Sequence, residues 1–315
     1  MVSPQPIADP NANRMRPRVA TAAPTDALPD QQQTLRRAAR VTGRGYYTGD
    51  EVTVELRPAP AGSGIVFVRE DCRPHVRIPA RIDYRVDDMR RTSLARGNIR
   101  VEMIEHAMAS LAALGIDNCE LAIDRPELPA GDGSALDFVE AIHSAGVHRQ
   151  RARAETCVIR EPIRVEHGDA WLEAAPHPQG RWELHYQLDY SQTPAIGSQS
   201  LSVVVGPRRF ACEIAPARSF LLEQEAQWLR SQGLGRHVTP QEILVFGQDG
   251  PIDNELRFDD ECVRHKLLDL IGDLSLCGRR LSGRFRAARS GHQLNGALTV
   301  QIAQCCREMP QRCSA

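Results

Sequence analysis

Apolar and polar positions alternate at Val52, Val54 and Leu56 in "VTVELRPA", the period of a strand with one buried face. "GIVFVRE" and "VRIPARIDYRV" predict further strands, and "CELAI" a short one. Between them the period changes. In "VEMIEHAMASLAALG", Met103, Ile104, Ala107, Met108, Leu111 and Leu114 recur at helical spacing, and Gly115 closes the predicted helix. "PAGDGSALDFVEAIHSAG" predicts a Gly-rich turn and a second helix. The second half follows the same style. Strands are predicted at "CVIREPIRVEH", "AWLEAAP", "WELHYQLDY", "SLSVVV" and "FACEIAP", then helices at "LEQEAQWLRSQG" and "DECVRHKLLDLIGDLSLCG", then a last strand near "ALTVQIA". Strands first and helices after, twice over, predict an α+β fold of two domains of similar plan, although no residue-level repeat joins them.

The charged run "HRQRARAET" marks the expected boundary, which gives domains at 35–150 and 151–304. Residues 1–34 are rich in Pro, Ala, Asn and Gln and lack the apolar core of a secretory signal, so a disordered extension is expected there. Residues 305–315 are expected to be a tail, and Cys305, Cys306 and Cys313 are read as part of it rather than as a metal or redox site.

Composition narrows the class. The 315 residues carry a net charge of -1, so no global field favours nucleic acid or an anionic membrane. No apolar run approaches the ~18 residues of a membrane span. Nine cysteines without a CxxC pair argue for reduced thiols in a cytoplasmic protein.

Chemistry enters at "DECVRHKLLDLIGDLSLCG". His265, Asp269 and Asp273 recur every four residues, one stripe of the predicted helix, beside a packing face of Val263, Leu267, Leu270, Ile271 and Leu274. His265 and Asp269 are within chelating reach, and imidazole with carboxylate suits Zn²⁺ or another divalent first-row ion. A solvated face is the competing reading of that stretch. In "IEHAMASL", Glu105 and His106 diverge by about 100°, so one can bind a metal while the other points beside it at bound water. An ordinary polar pair on an amphipathic helix would look the same. In "RSGHQLNGAL", His292 follows a Ser-Gly bend and precedes the expected apolar strand, an exposed position suited to a proton donor or substrate ligand, or to a plain loop histidine.

Taken in order, these stretches resemble one family, the UDP-3-O-acyl-N-acetylglucosamine deacetylases of lipid A biosynthesis. The resemblance runs from about Gln33 to Ala303 through "TLRRAARVTGRGYYTG", "VELRPAPAGSGIVFVRED", "IEHAMASLAALGIDNCELAIDRPELPAGDGSALDFV", "EIAPARSF", "LRFDDECVRHKLLDLIGDLSLCG" and "SGHQLNGAL". It implies a zinc-dependent amidohydrolase that releases acetate, with helices packed together between two sheets and the zinc at the domain junction. His106, His265 and Asp269 would hold one Zn²⁺ and Glu105 would be the general base. His292 would stabilise the oxyanion or protonate the leaving amine, oriented by Asp273. Lys266 would contact substrate, and Ser219 and Phe220 would line the sugar or acyl site. The segment "YQLDYSQTPAIGSQSL" would form an apolar acyl passage. A small-molecule UDP-sugar substrate, no nucleic acid and a monomer are expected. Tyr47 stands where the family pattern has His, Ser219 where it has Thr and Leu222 where it has an aromatic residue. These departures fall at substrate positions and predict an altered pocket. Two rival readings stand beside this one: a zinc amidase acting on another acylated or acetylated sugar, and a non-catalytic paralogue that binds such a ligand.

Overall fold

A computed structural model of the chain describes residues 26–308. The first half comprises β1 (Gln31–Leu35), β2 (Ala39–Arg44), β3 (Glu51–Pro58), β4 (Ile65–Arg69), β5 (Val76–Pro79), β6 (Arg85–Val86), β7 (Ser93–Arg96), β8 (Ile99–Glu102), α1 (Glu105–Ala113), β9 (Cys119–Ile123) and α2 (Leu136–Ala145). The second comprises β10 (Val147–Arg153), β11 (Thr156–Val158), β12 (Ile163–His167), β13 (Ala170–Ala175), β14 (Trp182–Tyr190), β15 (Gly197–Val204), α3 (Pro207–Arg209), β16 (Phe220–Leu222), α4 (Glu223–Ser231), β17 (Leu244–Phe246), α5 (Glu261–Ser275), β18 (Arg280–Ala288) and α6 (His292–Glu308).

The two main sheets share one plan. The first runs β2-β3-β9-β4-β5 and the second β12-β13-β18-β14-β15, with β11 added beside β18. In each, the central strand arrives last, antiparallel to one neighbour and parallel to the other. Leu121 of β9 sits between Leu56 and Phe67, and Phe285 of β18 sits between Ala174 and Leu184. All six are fully buried. Apolar residues on the inner face of a central strand must be covered on both sides, and this register covers them.

The halves meet helix on helix. α1 packs along α5, α5 packs on α6 and the second sheet, and α2 packs on α1 and β2. The α1–α5 crossing is close because of Gly272. A Cβ there would lie 2.2 Å from the Glu105 carbonyl oxygen, so only glycine lets the two backbones approach.

Several sequence expectations change. β1 includes residues 31–34, which the composition places in the extension, and β2 also precedes the first predicted strand; residues 1–25 of the extension lie outside the described residues. The boundary run carries β10, which pairs with β1. Val101 and Glu102 belong to β8, and α1 starts only at Glu105. "FACEIAP" holds a π-helical turn at Phe210–Ile214 instead of a strand. "ALTVQIA" lies inside α6. Leu298, Val300 and Ile302 mimic strand alternation, but Leu298, Thr299, Ile302 and Ala303 are the buried set while Val300 is exposed, which is helical spacing. α6 therefore runs through the expected tail as far as Glu308, and Cys313 lies outside the described residues. The expectation of reduced thiols fails at one pair. α6 passes over β11 and brings Cys306 to Cys157 with Cα atoms 5.8 Å apart, and the two form a disulfide.

Candidate active site

Met103 adopts a left-handed backbone, φ 61°, and turns the chain from β8 into α1. Glu105 and His106 thus occupy the buried first turn of α1, facing α5. On α5, His265 and Asp269 are one turn apart, with His265 Nε2 3.4 Å from Asp269 Oδ1. His106 Nε2 lies 3.9 Å from the same oxygen, and its ring stands edge-on to that of His265 at 85°. Tetrahedral bonds of about 2 Å set ligand atoms roughly 3.3 Å apart, so this spacing fits a metal centre. The donors of all three residues lie within 4.8 Å of one another.

Protonation suits ligation too. His265 Nδ1 is 3.1 Å from the Ala217 carbonyl, which accepts its proton and leaves Nε2 to face the group. Ala217 is held in place by the next residue. Arg218 makes a buried ion pair with Glu261 at the start of α5, Nε to Oε1 2.8 Å, and its backbone N–H donates to the same carboxylate. Burial, joined by the charge of His265, pushes His106 down to about 3, so its ring is neutral. Burial would raise Asp269, but the Lys266 ammonium, 2.6 Å from Oδ2, holds it below the usual carboxylate range.

A second pair of groups stands beside this triad. Burial pushes Glu105 up to about 7, and its Oε2 accepts the Thr92 backbone N–H at 3.1 Å. His292 is the first residue of α6 with a side chain only 10% exposed; the expected exposed loop position before a strand is corrected here. Burial would lower its pKa, but the Asp273 carboxylate, 2.9 Å from Nδ1, prevails and carries it up to about 9. Asn295 Nδ2 donates to the same Asp273 oxygen at 2.8 Å. Asp273 is thus the third member of the α5 stripe, turned toward α6.

The substrate candidates gather around a cavity of about 1220 Å³ that reaches all five of Glu105, His106, His265, Asp269 and His292. Ser219 Oγ is 3.1 Å from His265 Nε2 and 3.3 Å from the Gly133 carbonyl. Phe220 stacks edge-on against Tyr190 and Phe246. Lys266 is half-buried against Asp269. Tyr47 lines the same cavity beneath the Arg91 guanidinium, 4.3 Å from its ring centre. Of the "YQLDYSQTPAIGSQSL" segment, which forms the β14–β15 hairpin, Tyr186 and Leu188 to Thr193 line the cavity, a stretch that includes the polar Asp189, Ser191 and Gln192, while Pro194, Ala195 and Ile196 do not. Thr92, Asn295, Arg218 and Gly272 escape the sequence reading. Single polar or small residues without spacing to a partner carry no periodic signal.

A buried group of two imidazoles and one carboxylate, flanked by a carboxylate and a histidine–aspartate pair, defines a class: metal-dependent hydrolases in which proton transfer is separate from the metal ligands. The family model described as LpxC, UDP-3-O-acyl N-acetylglycosamine deacetylase, matches residues 32–304, and the chain belongs to that family. A UDP-3-O-acyl-N-acetylglucosamine deacetylase from Myxococcus xanthus is 42% identical over 277 residues, covering 86% of each chain. Proteins of the same name from a Geobacter species and from Idiomarina loihiensis are 40% and 39% identical, with 86% and 85% of this chain covered and 88% of each relative. No helix among the described residues is long and apolar enough to cross a membrane.

Proposed function

We propose that the chain hydrolyses the acetamide of a UDP-3-O-acyl-N-acetylglucosamine in lipid A biosynthesis, releasing acetate and the free amine. The observation that carries this reading is the meeting, in one cavity, of His106, His265 and Asp269 with Glu105 and with His292, which is paired to Asp273. The two imidazoles and the carboxylate would hold one Zn²⁺. When bound, such an ion polarises the acetamide carbonyl and makes water acidic enough to attack near neutral pH. Glu105 receives the proton of the attacking water. The Thr92 N–H donates to Oε2 and holds the carboxylate in place for this transfer. His292 presents its Nε2 proton to the developing oxyanion and then to the departing nitrogen, while Asp273 keeps the ring charged and oriented. The half-buried Lys266 contacts substrate, and Ser219 and Phe220 line the sugar or acyl site. On this reading domain 35–150 supplies α1 and domain 151–304 supplies α5 and α6. The protein works in the cytoplasm as a monomer on a soluble nucleotide sugar, with no nucleic-acid partner.

The test is acetate release from UDP-3-O-acyl-N-acetylglucosamine, with metal analysis of the same sample. About one metal per chain and stoichiometric acetate and amine are expected. A fully metallated protein that leaves this substrate intact but deacetylates another acetylated sugar would overturn the substrate. The pH profile should be bell-shaped. Activity rises as Glu105 loses its proton, at or below about 7 because a nearby cation favours the carboxylate, and falls as His292 loses its own near 9.

Ser219 gives a smaller effect. Its hydroxyl is within reach of an oxyanion held beside His265, and one ordinary hydrogen bond is worth about 1 kcal/mol. Ser219→Ala should lower kcat roughly fivefold to tenfold, while Ser219→Thr should match or exceed the parent because its β-branch restricts χ1. Unchanged kcat and KM in Ser219→Ala would remove the hydroxyl from the reaction.

A further inference from the structure

We propose that Thr92 is the positioning residue that ties the two proton-transfer groups of this site together and fixes which nitrogen of His292 delivers the proton. The inference rests on the functional reading above and adds a residue to it. Thr92 is 1% exposed and immediately precedes β7. Each of its polar groups is directed at the site. The backbone N–H donates to Glu105 Oε2 at 3.1 Å. The carbonyl accepts the N–H of Ile104, the residue just before α1, at 3.2 Å. The hydroxyl donates to Asp273 Oδ1 and lies 3.2 Å from His292 Nδ1.

Counting protons decides the tautomer. A hydroxyl has one proton and two lone pairs, and an ionised carboxylate only accepts. The Thr92 proton is spent on Asp273 Oδ1. Asp273 Oδ2 already takes the Asn295 amide and faces His292 Nδ1. Both neighbours of Nδ1 therefore offer lone pairs, so Nδ1 keeps its proton whether the ring is charged or neutral. The exchangeable proton is the one on Nε2. Without the hydroxyl, the ring loses one of the two acceptors that set its plane. Asp273 Oδ1 loses its donor and is free to rotate away from the imidazole. The Glu105 arm runs through the backbone and survives a side-chain change, which separates the two effects.

The experiment compares Thr92→Val, Thr92→Ser and Thr92→Val/His292→Ala in the metal-loaded full chain on the acylated nucleotide sugar. Thr92→Val should lower kcat on the order of tenfold to a hundredfold with KM changed less than about twofold, the pattern of a group that matters in the transition state. Thr92→Ser should recover most of the loss. In the His292→Ala background the valine change should cost nothing further, because its effect passes through His292. Parent-like kcat in Thr92→Val, or an equal loss with His292 already gone, would overturn the proposal. If the valine protein does not fold, nitrogen NMR of His292 in the parent above pH 9 decides: a protonated Nδ1 with bare Nε2 is expected, and the opposite tautomer overturns it. Full activity in His292→Ala or Glu105→Gln would instead sink the functional reading itself.

Discussion

Glu105→Gln is expected to retain its metal and lose activity by 10²–10⁴-fold in kcat, the usual worth of a general base. The substitution preserves shape. The carbonyl oxygen of the new side-chain amide can still accept the Thr92 N–H, and the backbone contact at Gly272 is untouched, so the fold and the position of the candidate ligand His106 should persist. Only the ability to take a proton is removed. A carboxyl raised to about 7 by burial is a stronger base than a solvated one, yet still ionises at neutral pH, which is the compromise such a role requires. Steady-state kcat and metal content on one preparation check this. A metallated Glu105→Gln protein turning over near the parental rate would strike Glu105 from the mechanism.

Asp269→Asn is expected to lose metal and activity together, on the order of 10³-fold or more in kcat where occupancy collapses. Asp269 lies at the centre of the candidate ligand set, with its Oδ1 facing both imidazoles. An amide is far poorer than an ionised carboxylate at holding a divalent ion. Asparagine is the better variant than alanine. Lys266 Nζ rests 2.6 Å from Oδ2, and removing the whole side chain would strand a half-buried ammonium and confound lost ligation with lost stability. Metal content, activity and Tm are the measurements. Full occupancy in Asp269→Asn would take this residue out of the ligand set.

Much of the local structure is legible along the chain because it depends on periodicity. The α5 stripe is the clearest case. A spacing of four puts His265, Asp269 and Asp273 on one line, and the packing residues between them can only face the core. α1, α2 and α4 and strands such as β3, β13 and β14 follow from the same kind of pattern, whereas β18, the central strand of the second sheet, has an Arg-rich sequence and is not predicted. The pattern misleads where two periods coincide. Leu298, Val300 and Ile302 satisfy strand alternation, yet they lie in α6, where the buried residues follow helical spacing. The strand β1 escapes the pattern for the opposite reason. Its Gln-rich sequence has little apolar signal and gains its place from pairing with β10.

Sequence alone determined the α+β class, the imidazole–carboxylate stripe of α5 and the Glu105–His106 step on α1, because spacing within one element is a local property. Tertiary structure decided what those residues face. His106 meets Asp269 only because Gly272 admits the Glu105 backbone, 167 positions earlier in the chain. The Ala217 carbonyl that selects the His265 tautomer is held by the Arg218–Glu261 pair. His292 owes its raised pKa to Asp273 on another helix, and Thr92 reaches Glu105, Asp273 and His292 at once from the start of a short strand. Such contacts depend on distance in space between segments remote in sequence, and no period along the chain encodes them.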